Sequence, residues 1–427
     1  MDVADRILRR GGIAVIIALL AGVGLAKSSS YYGTLLRGFD AQFYYAAAHS
    51  VVVDCDWDTT NDIAVTPSQG AFKTEYGAPL RSDGGVKNVF PLGLSLIEAA
   101  FLVPARLLGT ENGPPGYSTF EVGFVAFGLL LLTAFAFQVL YGFARKLASP
   151  LWAAAAVLAG WAGTSMLYYT AWFPFSVHPT TFALMVLLLA VADRLPKSRR
   201  RNLDLALFGL LAALLFLTRP HQCPYLVILV LWRFTDVVRK PWKAWLPGTL
   251  VGLVFCLLAM LGQAKVHEFN TGSFGLIAHG THDHPAITGH FDFANPHFDV
   301  VLFSPVRGLF WITPLVPVAF LGYLIRFRAV PWWGWSSLVN AALQTAILAC
   351  WSDPGQGDSF GIRLWCEHVP VVVCGLAVLC GKPGSLRWFV AGSTTICTLW
   401  TTALMAAYIF GKLKWGMAHA DVIRSLV

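Results

Sequence analysis

The sequence is short of charged residues. Only 13% of its 427 residues are charged and 23 are Asp or Glu, whereas 56% are hydrophobic and 16 are Trp. Soluble globular domains carry about 25% charged residues, so this composition excludes that class. The apolar residues fall in runs long enough to cross a bilayer. Because lipid offers no partner for backbone polar groups, these runs predict an all-α polytopic membrane protein.

The sequence also lacks a nucleic acid-binding pattern and a disulfide framework. Lys and Arg outnumber Asp and Glu by 31 to 23, but no basic block is interleaved with aromatic residues outside the loops between apolar runs, which argues against a nucleic acid partner. Most cysteines lie in apolar runs, so no disulfide framework is indicated and only a Cys55 to Cys366 bridge stays open. No small-x-small cleavage site before a soluble domain follows the first apolar run, residues 12–26, so this run is expected to be a retained anchor.

The basic loops are expected to face the cytoplasm. They all do so only if residues 89–108, which contain Pro91, Glu98 and Pro104, do not cross the membrane. The sequence then predicts a single domain, residues 1–427. Its longer external loops are 28–117, which carries juxtamembrane helices, 266–305 and 351–365. About eleven spanning helices are predicted, near 12–27, 118–142, 151–170, 179–195, 203–218, 222–236, 247–265, 306–326, 334–351, 366–381 and 388–410.

Residues 37–62 follow the first apolar run and place an acid, Asp40, at a membrane surface. From Phe39 to Val53 the apolar residues recur at helical spacing, which predicts an amphipathic helix lying along the interface with Asp40 in its first turn. The free N–H groups and the dipole of a helix start stabilise an acid there. Two alternatives stay open: Asp40 is a functional carboxylate, or it only caps the helix.

Two groups of residues have the character of metal ligands. In residues 54–62 the acids alternate as in a calcium-binding loop, but the segment lacks the glycine and the final glutamate of an EF-hand. The alternative is that this segment is a solvated turn without a bound ion. Six of the 11 histidines lie within 267–297, where His279, His282 and His284 have a spacing that allows them to reach one zinc or similar ion. The alternative is ordinary hydrogen bonding in a Gly-rich loop. The sequence therefore leaves open whether the protein binds a divalent cation as a cofactor. No other cofactor is indicated.

Two arginines stand at the external ends of apolar runs. Arg307 lies in Phe303-Ser-Pro-Val-Arg307-Gly-Leu-Phe, and Arg363 ends Asp358-Ser-Phe-Gly-Ile-Arg363. A guanidinium there must be paired or reach water, so each arginine is either a snorkelling anchor or an anion ligand. Two such planar forks on one membrane face favour binding of a lipid-linked phosphate.

Taken together, these motifs resemble the C-type glycosyltransferase superfamily, and most closely its branch of protein O-mannosyltransferases and lipid A aminoarabinose transferases. The resemblance rests on Asp40 after the first spanning helix, on a long first loop ending in Asn88-Val-Phe-Pro-Leu-Gly, and on the two arginine motifs. It implies an inverting enzyme of the cell envelope, in the plasma membrane of a bacterium or archaeon. Such an enzyme takes a sugar from a polyprenyl-phosphate donor at the external face, among membrane lipids, and passes it to a glycan, lipid or protein acceptor.

The resemblance also implies roles for single residues. Asp40 takes the role of the general base. Many relatives carry a second acid in the short external loop after the third spanning helix, where this chain has His178; either His178 replaces that acid or the acceptor differs. The candidate substrate-binding residues are Arg307, Arg363, Lys87, Asp358, Tyr44 and Glu268.

Two other functions are compatible with the composition. A lipid or solute transporter is the main alternative, since charge and broken helices within the membrane also mark transport pathways. Against it, the cytoplasmic loops show no polar site and the sequence shows no inverted repeat. A non-catalytic membrane scaffold is the third alternative, and it assigns no role to Asp40.

Overall fold

The computed structural model describes residues 3–65, 80–109, 114–276, 291–356 and 359–413. In these residues the regular elements are all helical, and β pairing is limited to two isolated bridges, so the prediction of an all-α protein is confirmed for them. The α-helices are α1 Val3–Ile7, α2 Ile13–Tyr32, α3 Phe39–His49, α4 Thr60–Val65, α5 Gly93–Leu108, α6 Thr119–Ala144, α7 Pro150–Ala162, α8 Met166–Ala171, α9 Val177–Arg194, α10 Arg201–Thr218, α11 Cys223–Val238, α12 Leu246–Thr271, α13 Phe298–Phe303, α14 Leu309–Ile312, α15 Leu315–Ile325, α16 Trp332–Ala349, α17 Val369–Cys380 and α18 Ser385–Ile409.

Seven helical stretches in the described residues are long and apolar enough to cross a membrane, which indicates a multi-pass membrane protein. Each of them coincides with one of the predicted spanning helices, whereas α5, within the predicted juxtamembrane stretch 89–108, is not among them. The seven stretches are Asp5–Tyr32, Thr119–Ala144, Val177–Lys197, Arg201–Thr218, Leu246–Thr271, Arg363–Cys380 and Ser385–Ile409.

Two of the other predicted spanning segments are broken helices. Segment 151–170 is interrupted between α7 and α8, where the Thr164 hydroxyl donates a hydrogen bond of 2.8 Å to the Gly160 carbonyl. Segment 306–326 is divided into α14 and α15, and Pro314 at the junction has no N–H to continue the helical ladder. Neither segment is therefore one continuous helix.

The remaining two predicted segments are single helices outside the group of seven. Segment 222–236 corresponds to the 16-residue helix α11, and segment 334–351 corresponds to α16. The predicted break before α11 is confirmed: α10 ends at Thr218 and α11 begins at Cys223, on either side of Pro220.

The described residues cluster into two compact units. The first consists of the described parts of Met1–Ala21, Thr133–Thr170 and Phe291–Val427. Its central helix is α17, in which every residue is buried. Helix α15 approaches α17 at small residues, because a Cβ atom added at Gly322 would lie 2.3 Å from the Gly375 carbonyl oxygen. Dispersion and close backbone contact therefore hold these helices together.

The second unit consists of the described parts of Gly22–Leu132 and Ala171–His290. In it, α12 carries Gly248 and Gly252 four residues apart, a spacing that lets a neighbouring helix approach closely. That neighbour is α10, since a Cβ atom added at Gly209 would lie only 2.1 Å from the Gly252 Cα atom. Helix α3 packs mainly against α5 in the same unit.

None of the eight cysteines forms a disulfide, and all lie in the described residues. Cys55 is exposed and Cys366 is buried, each as a free thiol. The absence of a disulfide framework, expected from the sequence, is thus confirmed, and the bridge that the sequence left open is not formed.

Candidate functional site

The start of helix α3 fixes the position of Asp40. Gly38, directly before the helix, has φ 79°, and a Cβ atom added there would lie 2.6 Å from the ring of Phe173. Both the backbone conformation and the close approach therefore require glycine. Gly38 is the N-cap residue and offers no side-chain oxygen, so Asp40 supplies the negative charge of the first turn and is partly exposed.

Arg37 joins the residues before Asp40 to the residues that follow Trp172 and lead to His178. Its guanidinium lies 3.6 Å from the centroid of the Tyr32 ring and donates hydrogen bonds to Ser28 Oγ, at 3.0 Å, and to the Trp172 carbonyl. The loop that contains the predicted site residue His178 begins at these contacts. Within the second unit, the start of α3 and this loop are therefore neighbours.

The prediction that α3 is an amphipathic helix on the membrane surface is wrong. The helix begins at Phe39 as predicted, but the α-helix ends at His49, a π-helical turn continues it to Asp54, and residues 41–49 are buried. Two of the polar side chains at those positions have backbone partners: the Tyr45 hydroxyl donates to the Gly116 carbonyl at 2.5 Å, and His49 Nε2 lies 2.7 Å from the Pro115 carbonyl oxygen. The buried side-chain amide of Gln42 has no hydrogen-bond partner among the described residues. The alanines Ala41, Ala46, Ala47 and Ala48 are buried as well, so α3 is a core helix of the second unit.

The end of the first loop is attached to two helices. The Asn88 side chain donates a hydrogen bond of 3.1 Å to the Phe43 carbonyl of α3, and the Asn88 backbone N–H donates to Asn270 Oδ1 of α12 at 2.8 Å. Four residues later, the Leu92 N–H donates to Gln263 Oε1, also of α12, at 3.1 Å. The motif that carries the family resemblance therefore connects α3 with α12.

Two predicted substrate-binding residues lie beside this connection. Lys87 is buried directly before the Asn88 motif. Tyr44 is buried in α3, with its ring centroid 5.1 Å from that of Phe90. A third candidate, Glu268, is exposed near the end of α12, where its carboxylate accepts a 2.7 Å hydrogen bond from Lys265 Nζ. An exposed pair of this kind adds little stability.

His178 is buried in the first turn of α9 and contacts an arginine. Arg219 Nη2 lies 2.9 Å from Nε2 and 3.1 Å from Nδ1 of the imidazole. A guanidinium only donates hydrogen bonds, so the ring nitrogen that it contacts presents its lone pair. Sequence reasoning missed Arg219 as a site residue, although an arginine before the Pro220 break between two apolar runs was the available signal.

Two of the four acids of residues 54–62, Asp56 and Asp58, have partners of their own and do not face a common calcium site. Arg81 binds Asp58 through two hydrogen bonds of 3.0 Å, and these hold the pKa of the Asp58 carboxyl well below its usual range. Asp56 accepts from the backbone N–H of Asp58 at 2.9 Å. The calcium-loop geometry is therefore not formed by these described residues, and Asp58 is neutralised by Arg81.

A separate cluster joins His49 to two of these acids. His49 Nδ1 lies 3.4 Å from Asp54 Oδ2 and is also in contact with Asp62 Oδ1. Burial of the imidazole opposes its protonation, but the neighbouring Asp62 carboxylate outweighs this effect and raises the pKa of His49. Sequence reasoning singled out the acids but missed His49, because its partners come from three different segments.

Glu98, in α5, is a second buried acid of this unit. Its carboxyl group is completely buried, and neither oxygen has a hydrogen-bond partner among the described residues. Burial without a partner raises its pKa well above the usual value, so the folded protein holds Glu98 in the neutral, protonated form.

We expect Glu98→Gln to stabilise the protein increasingly as the pH rises. In the unfolded chain Glu98 loses its proton near pH 4.5, whereas the folded protein retains it to higher pH. The stability of the wild type is therefore complete below that pH and declines as the pH rises towards the folded pKa. The measurement is the difference in melting temperature between variant and wild type from pH 4.5 to 8.

Asp83→Asn is a control for which the effect on stability should depend on pH in the opposite direction. Hydrogen bonds from Arg81 lower the pKa of Asp83, so its contribution is lost as the pH falls rather than as it rises. A melting-temperature difference for Glu98→Gln that is independent of pH, or that favours the wild type more at high pH, would contradict the protonated assignment.

In the first unit, the structure brings the two arginine motifs together. Arg307 is buried, and it lines a small cavity together with Ser359 and Gly361, which precede Arg363 by four and two residues. Arg363 is half-buried at the start of a 3₁₀ helix, and the Tyr169 hydroxyl donates to the carbonyl of Phe360 in the same segment at 3.4 Å.

Several predicted ligands fall outside the described residues. They are Asp358 and the three histidines His279, His282 and His284. Comparison with known proteins adds no further assignment: no protein-family model matches the chain, and no curated protein matches it. The function must therefore be inferred from the geometry and chemistry of the chain itself.

Proposed function

We propose that the chain is an inverting membrane glycosyltransferase of the C-type, which transfers a sugar from a polyprenyl-phosphate donor to an acceptor at the external face. Asp40 acts as the general base, and Arg307 and Arg363 bind the carrier phosphate. Lys87 is the next candidate for phosphate binding. The proposal includes about eleven spanning segments, four of them short, broken or less apolar, and an external first loop over residues 28–117.

The observation that carries the proposal is the cavity beside Arg307. A guanidinium offers planar pairs of donors that match the oxygens of a phosphate. Arg307 shares its cavity with the Ser359 to Gly361 segment, so two arginine motifs far apart in sequence meet at one place in the first unit. The guanidinium of Arg307 and the hydroxyl of Ser359 are the side-chain donors that this place offers to a phosphate oxygen.

The reaction requires a base and a stabilised leaving group. Asp40 removes the proton from the acceptor hydroxyl or amine, while the acceptor atom forms a bond to the anomeric carbon of the sugar. The bond from that carbon to the phosphate oxygen breaks, and the electron pair leaves with the polyprenyl phosphate. Preorganised guanidinium groups stabilise the negative charge that develops on this leaving group.

Arg307→Lys and Arg363→Lys should each weaken use of the polyprenyl-phosphate donor about ten- to hundredfold. The reason is that lysine keeps the charge but loses the aligned pair of donors, and one charge-assisted hydrogen bond contributes about 1.5–3 kcal/mol. Binding of polyprenyl phosphate to the protein in nanodiscs measures this effect without knowledge of the sugar. Transfer kinetics with a panel of polyprenyl-phosphate sugars then measure it for the reaction.

Arg328→Lys is the matched control, since Arg328 is exposed in a predicted cytoplasmic loop of the same unit. It should leave carrier binding unchanged. Unchanged binding in both Arg307→Lys and Arg363→Lys would identify them as snorkelling anchors and remove them from the site. Carrier binding together with movement of the lipid and no sugar transfer would favour the transporter alternative.

A further inference from the structure

The cluster at the far end of helix α3 from Asp40 has an unusual arrangement of polar atoms. His49 is the last residue of α3, Asp54 ends the π-helical turn that follows, and Asp62 lies in α4. One ligand atom from each of the three residues lies within 4.8 Å of the other two. His49 is only 6% exposed and Asp62 is 1% exposed, whereas Asp54 is open to solvent.

The orientation of the imidazole is fixed by a backbone carbonyl. His49 Nε2 lies 2.7 Å from the Pro115 carbonyl oxygen, and because a carbonyl only accepts, Nε2 must carry the proton of this hydrogen bond. Nδ1 then faces two carboxylates. The Asp62 carboxylate touches Nδ1 without the alignment of a hydrogen bond, so Nδ1 has no hydrogen-bond partner in the described part of the chain.

A lone pair on Nδ1 directed at two carboxylates is repulsive unless a positive species lies between them. That species is either a second proton on the ring or a metal ion. The carbonyl behind Nε2 is the partner that metal-binding histidines commonly have, since it fixes the tautomer and turns Nδ1 towards the ion.

The two carboxylates are themselves held by neighbouring donors. The Ser50 hydroxyl donates to Asp62 Oδ2 at 2.6 Å, and the Tyr117 hydroxyl donates to Asp62 Oδ1 at 3.3 Å. The Asn61 amide donates to Asp54 Oδ2 at 3.0 Å. The Tyr117 ring also stacks on the imidazole, with the two centroids 4.5 Å apart. Hydrogen bonds of this kind orient the ligands of protein metal sites.

We propose that His49, Asp54 and Asp62 form a binding site for one divalent transition-metal ion of the Zn²⁺ type. Bonds of about 2.1 Å in tetrahedral geometry place two ligand atoms about 3.4 Å apart, and the distance from His49 Nδ1 to Asp54 Oδ2 is 3.4 Å. Asp62 has to withdraw slightly from Nδ1 when the ion enters. The imidazole favours Zn²⁺ over Ca²⁺ or Mg²⁺, which prefer oxygen ligands.

The open side of the site faces Asp54, which leaves a fourth position for a solvent ligand. A bound ion would link the end of α3 to α4, and through the Pro115 carbonyl to the segment before α6. Such a link would add stability to the second unit, and it does not depend on the proposed transferase activity.

Zinc binding to purified full-length protein tests this site. The protein carries a non-histidine affinity tag, and His279→Ala, His282→Ala and His284→Ala are introduced together so that the loop histidines do not contribute. After treatment with a chelator, Zn²⁺ is titrated, and bound zinc is counted by elemental analysis after desalting. Asp54→Asn is the test variant because the side chain is partly exposed and its loss does not disrupt the core.

Asp56→Asn is the matched control, since it removes the same charge from the same loop outside the cluster. We expect one zinc per chain in the parent protein and in Asp56→Asn. Asp54→Asn removes a direct ligand and should lower the affinity for zinc by more than about 100-fold. The reason is that removing a residue that only hydrogen-bonds a metal ligand already lowers metal affinity by about 10–100-fold.

Two results would overturn the proposal. A parent protein that binds no stoichiometric zinc means that a proton, and not a metal ion, lies between His49 and the carboxylates. Equal binding by Asp54→Asn and the parent places the zinc elsewhere. If the triple alanine protein fails to fold, the same comparison is made in the native sequence, where the expected result is one zinc fewer in Asp54→Asn than in Asp56→Asn.

Discussion

Asp40→Asn is expected to remove sugar transfer while the protein remains folded. The substitution keeps the shape of the side chain and one oxygen at the start of α3, but it removes the carboxylate that accepts the acceptor's proton. A positioned general base contributes about 10²- to 10⁴-fold to a reaction rate, so the transfer rate should fall by that factor. The measurement is the transfer rate with a polyprenyl-phosphate sugar, at donor concentrations above saturation.

The structural cost of the same substitution should be small. A charge in the first turn of a helix contributes about 0.3–1 kcal/mol, so the melting temperature should change little. Asp56→Asn, an exposed acid of the same loop, serves as the control and should transfer sugar at the wild-type rate. A well-folded Asp40→Asn protein with wild-type turnover would exclude Asp40 as the base.

Gly209→Ala is expected to have the largest effect on stability. The added methyl group would lie 2.1 Å from the Cα atom of Gly252, so it meets backbone and not a side chain that can rotate away. Helices α10 and α12 would have to separate along their length, and overpacking of this kind costs about 3 kcal/mol or more. The measurement is the free energy of unfolding in detergent micelles.

Gly262→Ala is the control, and it lies on α12, the helix against which Gly209 of α10 packs. No atom lies within 4 Å of the Cβ position at Gly262, so alanine there fits without strain. Replacing glycine by alanine inside a helix stabilises by about 0.5–1 kcal/mol. Similar unfolding energies for Gly209→Ala and Gly262→Ala would show that α10 and α12 do not pack through their glycines.

The positions of the helices could be predicted from the sequence better than the contacts that each helix makes. Long apolar runs reveal spanning helices because the bilayer sets their length, and the break at Pro220 follows from its missing N–H. In contrast, the period of α3 could not show that both of its faces are buried. A stripe of alanines and aromatic residues has the same period against lipid as against protein.

The sites were predictable only where a motif is local. Asp40 and the two arginines stand in short, recognisable stretches, and the structure places Arg307 beside the segment that leads to Arg363. The His49 cluster has no such local pattern, because its ring contacts come from Asp62 and Pro115, distant in sequence. Glycine spacing in α12 was visible, but its partner Gly209 follows only from the tertiary structure.

The attachment of the first loop to α12 sets the length of one short segment. The backbone N–H groups of Asn88 and Leu92 reach Asn270 and Gln263, which are seven residues apart on α12. Seven residues of α-helix rise about 10.5 Å, and four extended residues reach at most about 14 Å. A stretch one residue shorter would reach at most about 11 Å, so it would have to be fully extended to keep both hydrogen bonds.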